Sequence, residues 1–282
     1  MQFGLFGINI GPCATGLAAA RVARAAEAAG FESVWTGEHV VLPDPQMPPS
    51  PVPPQTPMLD PAVALSVAGA ATSRLRLGTG IIILPQRNPL VLAKELASVD
   101  VISDGRLIFG LGVGYLQAEF DALGAPFTDK GARAIEYLEA ILALWTMAHP
   151  AYAGRFVNFA GIDAQPRPVQ RPHPPIVIGG RSPQAFRRAV AHANGWYGFA
   201  LDVDDTAASL ADLRRTLAAH ARPAGLGELE ISITPRGSLT LDAAKRFADL
   251  GVHRLIPSWT LPTEAALTER LTRFGDEVID KL

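Results

Sequence analysis

Cysteine is almost absent. Cys13 is the only one in 282 residues, which excludes a disulfide framework and a cysteine-ligated zinc site. Lysine is scarce: Lys94, Lys130, Lys245 and Lys281 are the four among 25 basic side chains. Those 25 face 27 acidic ones, a formal net charge of −2. A nucleic-acid surface needs a concentrated basic patch, so no nucleic-acid partner is expected. No stretch approaches the roughly 18 uninterrupted apolar residues of a membrane span. The start, Met-Gln-Phe-Gly-Leu-Phe-Gly, lacks the basic segment and long apolar run of a secretory leader. No membrane association is expected, and the expected compartment is the cytoplasm. Charge blocks, low-complexity tails and repeats of fixed period are missing too.

What is present is apolar. Hydrophobic residues make up 48% of the chain, enough for a large packed core and too many for a disordered one. At about 150 residues per domain the length suggests two domains, yet one α/β barrel routinely fills about 250. Nine of the 24 prolines fall between Pro43 and Pro61, where neither a regular helix nor a central strand can run. Elsewhere short apolar runs alternate with longer amphipathic ones. Strands are predicted over residues 3–10, 31–36, 75–84, 106–111, 175–178, 195–201, 229–234 and 253–258. Helices are predicted over 17–29, 61–72, 89–102, 132–147, 183–193, 206–221, 241–250 and 263–282. Gly30 closes the first helix, and Asp60 with Pro61 opens the second. Eight strand-then-helix units are the arithmetic of an α/β fold of the (β/α)8 TIM-barrel type. No unit has the glycine-rich opening and distant acid of a dinucleotide-binding unit, which disfavours an open doubly wound sheet. The expectation is one domain over 1–282, with irregular excursions at about 43–61 and 148–174.

In such barrels the chemistry sits at the C-terminal ends of the strands. Asn9 ends the first predicted strand and Glu38-His39 follows the second, placing an acid and an imidazole where proton transfer is possible. Gly78-Thr79-Gly80 inside the third suggests a bulge or close backbone approach by a ligand. Gly110, Gly112 and Gly114 read as a strand end kept bare for a flat ligand, and a flexible turn reads the same way. Gly179-Gly180-Arg181-Ser182-Pro183 suits an anion: two glycines, a cation, an N-cap serine and a proline opening a helix. An ordinary capped βα turn reads the same way locally. Cys13 has no activating neighbour, which favours a structural role. Lys94 lies in a predicted helix, which counts against a Schiff-base aldolase. Metal-ligand spacing is missing, and no metal is expected.

The run from Leu77-Gly-Thr-Gly-Ile-Ile-Ile-Leu-Pro85 through Arg87-Asn-Pro89, Ala93-Lys-Glu95, Asp100 and Asp104-Gly-Arg106 to Gly110-Leu-Gly-Val-Gly114 is distinctive. With Glu119-Phe120, Gly124, Pro174-Pro-Ile-Val-Ile-Gly-Gly-Arg-Ser182 and Asn194-Gly-Trp196, it resembles the luciferase-like superfamily of flavin- and deazaflavin-dependent oxidoreductases, over nearly the whole chain. The short subgroup it most resembles consists of F420-dependent oxidoreductases. The resemblance implies a TIM barrel and several roles. Asn9 belongs with the cofactor contacts, and Gly179, Gly180, Arg181 and Ser182 hold the cofactor phosphate. Thr79, Gly80 and Ile81 form a bulge behind the ring, where deazaflavin members often carry a non-prolyl cis peptide. Gly112 and Val113 line the ring's other edge. His39, helped by Glu38, is the expected proton-handling or ring-orienting catalytic group. The glutamate that related sugar-phosphate dehydrogenases carry in the fourth-strand loop is replaced by Gly-Val-Gly. Asp100, Asp104 and Arg106 are expected in structural ion pairs beneath the site. The proline-rich stretch, the 149–174 excursion and Trp259 are expected around a pocket for a small-molecule substrate. The expected cofactor is coenzyme F420, with FMN as the alternative, serving an F420-dependent hydride-transferring oxidoreductase or an FMN-dependent monooxygenase. A non-catalytic flavin-binding barrel and a phosphate-binding lyase are weaker alternatives. Relatives imply a homodimer.

Overall fold

The computed structural model describes residues 1–282. Eight parallel strands close on themselves: β1 (Gln2–Phe6), β2 (Ser33–Thr36), β3 (Arg76–Thr79), β4 (Leu107–Gly112), β5 (Ile176–Gly179), β6 (Gly195–Leu201), β7 (Glu230–Pro235) and β8 (Arg254–Leu255). Each pairs with its sequence neighbours, β8 returns to β1, and β3 meets β4 to complete the ring. This is the (β/α)8 TIM barrel. The outer ring is α1 (Ala18–Ala28), α2 (Pro61–Ala71), α3 (Pro89–Ile102), α4 (Lys130–Thr146), α5 (Pro183–His192), α6 (Val203–Ala219), α7 (Leu241–Asp249) and α8 (Glu264–Glu277). Six helices start on side-chain caps that accept from the free N–H groups of the first turn: Asp60, Asn88, Ser182, Asp202, Thr240 and Thr263.

The third predicted strand is broken. β3 stops at Thr79, the Gly80–Ile81 peptide is cis, and Ile82–Ile83 then pairs with Leu111–Gly112 of β4. Two of the glycines expected to make room for a ligand make room for the protein instead. A Cβ on Gly78 would lie 2.3 Å from the Trp35 ring, and one on Gly110 would lie 1.9 Å from the Thr79 carbonyl. Thr79 clamps the two strands together, its Oγ1 donating to Gly110 O at 2.6 Å and accepting from Gly110 N at 2.8 Å.

The barrel interior is stacked in layers. At the N-terminal end of the strands, Arg254 is buried and reaches Glu32, Glu230, Gln2 and Ser232. Above it, Trp35, Ile108, Val177, Tyr197 and Ile256 form an apolar plug, with Phe6 and Ile81 packed on top. The larger core lies between strands and helices. Cys13 belongs to it, and burial pushes its thiol up to about 12.

Asp100, Asp104 and Arg106 form no ion pairs. Asp100 accepts from the backbone of Val169, Gln170 and Leu107 and from the Gln170 amide. Arg106 donates to the carbonyls of Gly69, Thr72, Leu75 and Ser103. Asp104 sits at φ 55, in the turn before β4. Asp100 and Arg106 thus staple backbone groups that no ladder satisfies. The 149–174 excursion carries a small antiparallel hairpin, Tyr152–Ala153 with Asn158–Phe159, held against α4 through Glu136.

Candidate active site

The apolar plug is the floor of a cavity of about 430 Å³ at the C-terminal ends of the strands. One wall is backbone: Gly80-Ile81, Gly112-Val113-Gly114 and Gly179-Gly180. Phe6 and Phe199, with ring centroids 5.0 Å apart, form part of another. The proline-rich excursion supplies Pro51, Val52 and Met58, so it borders the cavity as expected. The 149–174 excursion and Trp259 do not line it. Trp259 instead packs edge-on against Phe31 and Phe274 in the outer layer.

His39 is brought to the wall beside Tyr115. Its sequence neighbour Glu38 does not assist it. Glu38 turns the other way, taking Arg87 (Nε at 2.8 Å) and the Ile83 N–H, while Arg87 also pairs with Asp60 at 2.7 Å. Adjacent residues leaving a strand end point to opposite sides, and Glu38 serves to tie β2 to the loop before α3. Burial pushes the Glu38 carboxyl above its ordinary range, against the pull of Arg87. Burial lowers the Arg87 guanidinium in turn, but Glu38 and Asp60 outweigh that and hold it more firmly protonated.

The carboxylate that does meet His39 is Glu119. It lies on a short helix, Gln117–Ala122, and its side chain is fully buried. One oxygen is 2.9 Å from His39 Nδ1, and the other accepts from Val40 N–H at 2.6 Å. An ionised carboxylate only accepts, so Nδ1 carries the hydrogen and Nε2 is left toward the Tyr115 hydroxyl, 3.3 Å away. Burial, and then the charge of Glu119, push the Tyr115 phenol up. Glu119 is the residue that reasoning from strand ends misses, because it sits on a helix 80 positions from its partner. Glu119-Phe120 was visible only as part of a family pattern.

Asn9 does not line the cavity. It is buried behind the wall, with Nδ2 donating to Gly37 O and Leu59 O and Oδ1 accepting from Gly37 N–H. It fixes the backbone that carries Glu38 and His39. Thr79 is likewise buried behind the wall. At the other end of the cavity, Gly180 adopts φ +115, a region that favours glycine. Its carbonyl is held by Trp196 Nε1 at 2.7 Å. Ser182 spends its hydroxyl on the cap of α5, accepting from Ala185 N–H at 3.1 Å. Arg181 is exposed and its nearest charged partner is Asp205, at 4.0 Å. The N–H groups of Arg181, Ser182 and Gln184 make no hydrogen bond within the protein, so the first turn of α5 offers donors beside Gly180.

A flavin-type cofactor fits these residues. The glycine wall offers a flat ring a face without side chains at Gly80, Gly112, Gly114, Gly179 and Gly180, while the space behind Gly112 is taken by Ile81, whose Cδ1 would lie 2.4 Å from a Cβ there. The free N–H groups at α5 suit a phosphate.

The profile of the luciferase-like monooxygenase family matches residues 9–270. An uncharacterized protein of Mycobacterium tuberculosis (strain ATCC 25618 / H37Rv) is 32% identical over 270 residues, 91% of this chain and 93% of the relative. The FMNH2-dependent dimethylsulfone monooxygenase of Pseudomonas putida is 31% identical over 162 residues, 56% of this chain and 44% of that enzyme. Among solved structures, the coenzyme F420-dependent tetrahydromethanopterin reductase of Methanopyrus kandleri superposes with a TM-score of 0.78 at 18% identity. That match covers 99% of each chain and speaks for the fold alone.

Proposed function

This chain belongs to the luciferase-like monooxygenase family, and from that premise we propose that it is a coenzyme F420-dependent oxidoreductase acting on a small organic substrate. The observation that carries the reading is the His39 imidazole, set in the wall of an apolar, glycine-lined cavity with a buried carboxylate on one nitrogen and a phenol near the other. Gly80, Ile81, Gly112 and Val113 would face the ring, and Gly179, Gly180 and the N–H groups at the start of α5 would take the phosphate. When bound, the deazaflavin supplies hydride transfer at a carbon of the substrate. The chain's part is binding, orientation and the proton. His39 Nε2 takes a proton from a substrate hydroxyl in one direction and returns it in the other, a task that suits an imidazole near neutral pH. Glu119 keeps Nδ1 protonated and the ring in place. Phe6, Phe199 and Met58 keep water from the reacting atoms.

A second reading, an FMN-dependent monooxygenase, is favoured by the likeness to the dimethylsulfone enzyme over 162 residues. Titration of the purified chain with F420 and with FMN, followed by cofactor fluorescence, separates the two. Submicromolar binding of F420 is expected. Submicromolar binding of FMN with none of F420 would overturn the first reading in favour of the second.

A further inference from the structure

The cavity's polar inventory is short. Of the polar side chains that line it, Glu38 is consumed by Arg87 and Ile83 N–H, and the Tyr197 hydroxyl is 2.5 Å from Thr234 Oγ1 within the protein. Among the side chains, what remains open is a single edge, His39 Nε2 and Tyr115 Oη; the free N–H groups at the start of α5 lie at the end assigned above to the cofactor phosphate. No lysine or arginine lines the cavity, and its outer wall is Phe6, Ile10, Pro51, Val52, Met58 and Phe199. Of the guanidiniums near the strand ends, Arg87 is committed to Glu38 and Asp60 and Arg236 to Asp202 and Asp205, while Arg181 is exposed outside the lining, at the end assigned above to the cofactor phosphate.

From this we infer that the substrate is a neutral, largely apolar molecule that meets the protein through one polar atom, placed at the His39–Tyr115 edge. The inference rests on reading this cavity as the substrate site. An anionic substrate would leave water for a cavity lined by no cationic side chain, a large desolvation cost. It would also lie near two buried carboxylates, Glu38 and Glu119. A polyol would bury several hydroxyls against a wall offering two side-chain partners, and each unsatisfied group is costly. A ketone, secondary alcohol or polarised alkene needs only the one edge.

Calorimetric titration with acetophenone and with 4-acetylbenzoate, which differ by one carboxylate, tests this on the free chain and on the chain loaded with whichever cofactor it binds. Acetophenone is expected to bind at least tenfold more tightly in both forms. Val52→Arg, which puts a cation in the outer wall, is expected to shift the ratio of the two affinities at least tenfold toward the benzoate. Because the readout is a ratio within one protein, a general loss of folding does not imitate it. Equal or tighter binding of 4-acetylbenzoate by the unaltered chain, or no binding of acetophenone by either form, overturns the inference. Failure of both cofactors to bind would instead overturn the proposed function, and the ketone titration of the free chain would still decide the substrate class.

Discussion

The two ends of the barrel solve opposite problems. At the N-terminal end, Arg254 is 1% exposed and its guanidinium is filled by Glu32, Glu230, Gln2 and Ser232. Every donor of the fork has an oxygen, so the charge there is fully satisfied within the protein. At the C-terminal end, Glu119 holds His39 on Nδ1 at 2.9 Å, while Nε2 has only the longer contact to the Tyr115 hydroxyl at 3.3 Å, at the edge of a cavity walled by glycine and apolar side chains. A barrel interior that is satisfied at one end and deliberately incomplete at the other separates stability from chemistry. The two buried carboxylates near His39 repeat the division on a smaller scale. Glu38 completes an ion pair, whereas Glu119 orients the ring to which the proposed function assigns the proton.

The largest expected effect is at the N-terminal end. Arg254→Met leaves Glu32 and Glu230 without their cation, and the expected loss is about 3 kcal/mol. Thermal denaturation should show Tm falling by roughly 6–12 °C, with the F420 dissociation constant unchanged within about twofold. A variant that keeps its Tm but loses the cofactor would break the separation of the two ends.

Next is Glu119→Gln, which removes the carboxylate that fixes the His39 tautomer. Steady-state kinetics should show kcat falling about ten- to a hundredfold with KM little moved. The pH profile of kcat/KM should shift as well, which a purely structural role would not produce. An unchanged pH profile would reduce Glu119 to a packing residue.

Glu38→Gln should do the reverse. The amide still accepts from Ile83 N–H but loses the charge opposite Arg87, for an expected cost of about 1–2 kcal/mol and a change in kcat of less than about threefold. Loss of turnover at unchanged stability would return Glu38 to the catalytic role its place in the sequence suggests.

The smallest effect concerns Cys13, packed with the outer core. Burial raises the thiol from its ordinary 9.0 to about 12, so the folded chain holds this proton more tightly than the unfolded one. Its contribution to stability is therefore complete below about pH 9 and declines as pH rises toward 12. At pH 8 a thiol reagent should label no cysteine in the folded chain and one after denaturant is added.

The barrel itself was legible in one dimension. The apolar runs, the Asp60-Pro61 and Ser182-Pro183 helix starts and the count of eight units are local signals, because caps and hydrophobic periods act within a few residues. The proline-rich stretch reached the cavity for the same kind of reason: chain that cannot enter a ladder stays outside it, and here it follows β2 at the barrel's mouth. The 149–174 excursion obeyed the same local rule yet settled against α4, since composition does not say on which side a loop lies.

Strand ends and the family resemblance together pointed to the cavity's neighbourhood, and His39, Gly80, Ile81, Gly112, Val113, Gly179 and Gly180 all line it. Direction was another matter. Which way Glu38 turns, whether the space at Gly78 holds a ligand or Trp35, and which acid lies beside His39 depend on contacts between residues 27 to 80 positions apart, from Asp60 with Arg87 to Glu119 with His39. A linear pattern can name an imidazole and two carboxylates. Only the closed barrel, by spending Glu38 on Arg87 and burying Glu119 against Nδ1, decided which of them steadies the chain and which orients the site.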